Sequence, residues 1–176
     1  MTTHPFLSLL TEALNLMHPR FASAHGLAYT STEAEEPPAT RKAKERSFLM
    51  EFYAEFRRLW DRAEPVRRGL GHVMVQGDPD SPSRQPDLLF WTLGEHGAPN
   101  RRLSALSLVF ATNPGALAAD LKMLARFRDL GYAICVCVVI GHATESEAIK
   151  QDGVTVLRFD TEKWQVVSPD TMGGMP

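Results

Sequence analysis

Cys135 and Cys137 stand two apart within YAICVCVVI, an apolar run that reads as a strand, so both thiols are predicted on one face of a sheet. A C-x-C pair can bind a soft metal, but a zinc site needs further Cys or His ligands at set spacing, and the six histidines are scattered. Neighbours on one strand face form no routine structural disulfide either, which leaves buried small apolar side chains as the reading. No P-loop, G-x-G-x-x-G or G-x-S-x-G occurs. The other stretch with chemical content is basic: between Arg41 and Arg68 there are nine Arg or Lys against five acids. Arg57, Arg58, Arg62, Arg67 and Arg68 are close enough to form a stripe that phosphates would neutralise. Interleaved Glu and Asp allow a salt-bridged surface instead.

Length and composition bound the scaffold that must hold these residues. At 176 residues and 44% hydrophobic, the chain suffices for one sizeable core and falls short of two. A formal charge of −2 with 23% charged residues excludes a disordered chain and a strongly polyanion-seeking one. The first twenty residues include Glu12, lack a basic leader region and contain no run approaching a membrane span, so a cytoplasmic chain with no membrane partner is expected.

Periodicity then predicts the elements. Phe6, Leu9, Leu10, Ala13, Leu14 and Met17 fall at helical spacing over 4–18, giving a short amphipathic helix that packs on the domain or on a partner. Residues 26–43, around STEAEEPPAT, have no period and read as a solvated linker. A second helix is predicted over 44–63, with Phe48, Leu49, Phe52, Phe56, Leu59 and Trp60 as its apolar stripe. GHVMVQG, PDLLFWTLG and RRLSALSLVFA read as three strands joined by turn-rich segments, a meander whose third strand is apolar on both faces. Helices must therefore cover both sides of the sheet. Asn113 and Pro114 suit a helix start and Gly131 a left-handed exit, with Leu117, Leu121, Leu124 and Ala125 as the core stripe. YAICVCVVI follows as a parallel crossover strand, then a short helix over 143–151 and a strand VTVLRF. The organisation predicted is an N-terminal helical segment 1–25, a polar linker 26–43, one α/β domain 44–168 and a frayed tail 169–176.

Helix, three-strand meander, helix, strand over residues 44–141, with Pro86-Asp87 opening the second strand, resembles the core of the PD-(D/E)XK, or restriction-endonuclease-like, nucleases. The resemblance implies a central mixed sheet with helices on both faces. It also implies a site built from an acid on the first helix, an Asp opening the second strand, and an acid and a Lys two apart on the third. Carboxylates in such a site hold Mg²⁺ or Mn²⁺ against the scissile phosphate, and the Lys steadies charge or water. Asp87 takes the strand position, Glu55 or Glu45 the helix position. Glu55 also has Arg58 and Arg62 at helical spacing on a solvated face.

The third strand departs from the family pattern. Ser107 and Val109 occupy the acid-x-Lys places, and nothing ionisable lies between Arg102 and Asp120. Asp120 and Lys122 on the next helix are candidate migrated replacements, although both suit the exposed face of an amphipathic helix. The leading expectation is a degenerate, pseudoenzyme-like domain that needs no cofactor and binds DNA, another nucleic acid or a protein partner. The family context implies a DNA-processing or defence system, and the N-terminal helix is a candidate homodimer or partner surface. The alternatives are an active Mg²⁺- or Mn²⁺-dependent nuclease with a site rearranged around Asp87, Glu55, Glu45, Asp120 and Lys122, and an unrelated α/β assembly module.

Overall fold

The computed structural model describes residues 4–18, 38–62, 73–76, 85–92, 101–111, 114–141 and 152–167, with backbone alone for 38–45 and 73–76. Three helices lie among them. Helix α1 spans Pro5–Leu16, α2 spans Pro38–Arg62 and α3 spans Pro114–Asp129. Each opens on proline, whose fixed φ and missing N–H suit the first helical position. The His4 Nδ1 atom accepts the Phe6 N–H at 3.1 Å and caps α1. At the other end of α3, Gly131 turns left-handed at φ 93°, Tyr132 N–H donates to Phe127 O and Gly131 N–H to Arg128 O. This is a Schellman ending, and the Phe127 and Tyr132 rings, 5.4 Å apart, supply its hydrophobic contact.

Six strands form one mixed sheet in sequence order: β1 Val73–Gln76, β2 Leu88–Thr92, β3 Arg101–Phe110, β4 Ile134–Gly141, β5 Thr155–Asp160 and β6 Gln165–Val167. β1, β2 and β3 are an antiparallel meander; β3, β4 and β5 run parallel, and β6 turns back antiparallel. The expected α/β class, meander and parallel crossover strand are present. β6 was not anticipated from its three-residue pattern.

Period-two alternation divides β3 and β4 between two cores. Leu106, Leu108, Phe110, Val136, Val138 and Ile140 face a core completed by α1 and α2. Ala105, Val109, Cys135, Cys137 and Val139 face a second core closed by Leu117, Leu121, Met123 and Leu124 of α3. Helices therefore cover both faces. The rings of Phe6, Phe56 and Phe90 meet at centroid distances of 5.2 to 5.7 Å and join α1, α2 and β2. Full burial of one such side chain contributes roughly 1.5–3 kcal/mol.

Two expectations about organisation are corrected. Residues 38–43 belong to α2 and not to a linker, because the helix starts at Pro38 and its polar first turns carry no apolar period to announce it. The apolar stripe of α1 is not a free dimer or partner surface: Phe6, Leu9, Leu10, Ala13, Leu14 and Met17 are all buried against the rest of the chain. The β5–β6 hairpin reinforces this docking, with Trp164 Nε1 donating to Met17 O at 2.6 Å and Val166 N–H to Asn15 Oδ1 at 2.7 Å. The remaining linker 26–37, the helix expected over 143–151, Asn113 and the tail 169–176 lie outside the described residues. No helix among the described residues is long and apolar enough to cross a membrane.

Candidate functional site

Pro86 is buried and directs Asp87 to the start of β2, where Leu88 pairs with Leu106 and so sets Asp87 opposite Ser107. The Asp87 Oδ2 atom accepts the Leu108 N–H at 2.6 Å and the Ser107 hydroxyl at 3.2 Å. β2 begins here while β3 runs on, and proline at 86 has no N–H with which to prolong the ladder. The carboxylate supplies an acceptor that the neighbouring backbone does not, in a short charge-assisted bond.

Ser107 is in register with Cys137 on β4, and both side chains are buried on the α3 face. Asp120, at 6% exposure, is turned inward from α3 toward the same face. Burial pushes the Cys137 thiol up to about 12, and the nearby carboxylates of Asp120 and then Asp87 push in the same direction. Burial likewise raises Cys135 to about 11. Asp87, Ser107, Cys137 and Asp120 thus lie between α3 and the sheet, with both thiols held in the unreactive protonated form.

The other candidates do not join it. Glu55 belongs to α2, which packs on the opposite face of the sheet, and its Oε2 lies 2.5 Å from Arg58 Nη2. That separation corrects the grouping of Glu55 with Asp87, since a full sheet layer stands between the two helix layers. Glu45 is on α2 as well, with its side chain outside the described residues. Lys122 is exposed whereas Asp120 is buried, because two residues along a helix turn the side chain through roughly 200°. Asp120 therefore departs from the exposed position expected for it. Val109 is buried in the α3-side core, as its place on β3 dictates. Among the described residues no three His, Cys, Asp or Glu side chains converge as metal ligands.

The basic stripe on α2 is partly spent on its own helix. Arg57 pairs with Asp61 at 3.4 Å and Arg58 with Glu55, while Arg62 is exposed; Arg67 and Arg68 lie outside the described residues. Ser107, at an acid-x-Lys place of the family pattern, has a role of its own, since its hydroxyl donates to Asp87. Period-two counting back through the meander carries that signal. Arg102 was also missed: it donates to Leu130 O and lies 5.8 Å over the Tyr132 ring, a contact that periodicity does not encode.

No protein-family model, curated protein or solved structure matches the chain.

Proposed function

We propose that this chain is a catalytically silent domain of PD-(D/E)XK type that binds nucleic acid. The observation that carries the reading is the engagement of Asp87. Where a nuclease of this type would present the strand acid to a metal, Asp87 Oδ2 accepts two donors of β3 itself. Three further features support it. The neighbouring acid-x-Lys places hold Ser107 and Val109, Glu55 lies across the sheet, and Lys122 faces solvent. Together they weigh against the rearranged nuclease. The order of meander, helix and parallel strand supports the family reading, and the exposed Lys122 and Arg126 of α3, outside the ion pairs among the described residues, support a polyanionic partner.

Two measurements on the full chain test this. Thermal melts with Mg²⁺ or Mn²⁺ are expected to be unchanged, whereas a metal at one hundred times its dissociation constant would add about 2.7 kcal/mol. Fluorescence anisotropy with labelled duplex and single-stranded oligonucleotides is expected to show sequence-independent binding that weakens with salt. Metal-dependent nicking that Asp87→Asn abolishes would overturn the silent assignment. Absence of binding at low salt would overturn the nucleic-acid assignment and leave a protein partner.

A further inference from the structure

Charge on the exposed side of α3 is distributed differently from charge on α2. Lys122 and Arg126 are both exposed and stand at i and i+4, so they are neighbours on one helix face, about 6 Å apart along the axis. None of the ion pairs among the described residues involves either of them. The helix has two acids: Asp120 is buried, and Asp129 pairs with Arg128 at 3.0 Å. Like charges at this spacing repel, and Arg126 in the last turn complements the helix C-terminus.

The strip continues beyond the helix. One turn past Arg126 is Leu130, whose carbonyl receives Arg102 Nη1, and Arg102 is further held by the Tyr132 ring. Trp91 is the cross-strand partner of Arg102 and is partly exposed. Arg102 keeps donors beyond the one given to Leu130, on a guanidinium whose place is already fixed. Among the described side chains of α2, by contrast, Arg57 and Arg58 are neutralised locally, and the exposed Arg46 and Arg62 are about 24 Å apart along the axis.

We infer that the nucleic-acid backbone is bound along the strip Lys122, Arg126 and Arg102, at the α3 side of the sheet, and not along the Arg57 and Arg58 stretch of α2. This rests on the nucleic-acid reading above and assigns its surface. Phosphates are the ligand chemistry that fits cations outside the ion pairs among the described residues, and Trp91 beside Arg102 gives an unpaired base a surface on which to stack.

The test compares wild type, Lys122→Ala/Arg126→Ala and Arg57→Ala/Arg58→Ala by anisotropy of a labelled duplex and of its single strand across a KCl series. Circular dichroism melts check that each variant is folded, and Lys122→Arg/Arg126→Lys serves as a charge-conserving control. The α3 variant is expected to lower the slope of log affinity against log salt by about 1.8 for duplex, two phosphate contacts at about 0.9 each, while the α2 variant and the control keep the wild-type slope. Loss confined to the α2 variant would overturn the α3 assignment and leave nucleic-acid binding intact. No binding by wild type at low salt would overturn both.

Discussion

The carboxylate of Asp87 accepts the backbone N–H of Leu108 at 2.6 Å, across the seam between β2 and β3. The bond makes Asp87 a structural acid. Asp87→Ala leaves a buried N–H without its acceptor and is expected to cost about 2–3 kcal/mol in urea unfolding. Asp87→Asn keeps an acceptor oxygen and loses only charge assistance, for about 1 kcal/mol. Equal stability of all three chains would show that the seam does not depend on the bond.

Removal of residues 4–17 takes six buried side chains out of the core shared with α2 and β2. The truncated chain is expected to lose its cooperative melt. A single Leu10→Ala, at a site with no exposure, is expected to cost about 2–5 kcal/mol. A truncated chain that melts like wild type in calorimetry would refute the core role of α1.

The indole N–H of Trp164 reaches Met17 O, and the Val166 N–H reaches Asn15 Oδ1, so β6 and α1 hold one another. Asn15→Ala and Trp164→Phe should each destabilise by about 1 kcal/mol or somewhat more. A double-mutant cycle is expected to show coupling, since both bonds secure the same junction. Strictly additive values would separate them.

Gly153 sits at φ 73°, and a Cβ there would meet the side chain of Arg128, which donates to Asp152 O at 2.7 Å. Gly153→Ala is expected to cost about 1–2 kcal/mol for the left-handed backbone alone, with a further steric part. Arg128→Ala removes that second part, so Gly153→Ala should cost less in the Arg128→Ala background. Identical costs in both backgrounds would exclude the clash.

Cys135 and Cys137 have folded values of about 11 and about 12 against an ordinary 9.0. Because these values are raised, the folded chain keeps protons that the unfolded chain releases. Stability is thus full below about pH 9 and falls as pH rises toward 11 and 12, at about 1.4 kcal/mol per pH unit for each thiol. Denaturant midpoints should decline over that window, and less steeply in Cys135→Ala/Cys137→Ala. A double variant with the wild-type slope would assign the decline to other groups.

Local pattern determined a good deal of this protein. The stripe of α1 was legible residue by residue, because the 3.6-residue period reports which side chains share a helix face. The ending of α3 was legible from Gly131, whose left-handed φ needs no long-range partner. The double burial of β3 and β4 followed from runs with no polar face. Tertiary structure alone decided what covers each face. An apolar stripe does not say whether a partner or the chain itself will bury it, and the Trp164 to Met17 bond spans a separation of 147 residues that no window contains. The candidate site divided for the same reason. Helical and strand periods place Glu55 and Asp87 each on a face of its own element, but the sheet lies between those faces only once α2 and α3 have packed on opposite sides, and that choice is made by the joint burial of both cores.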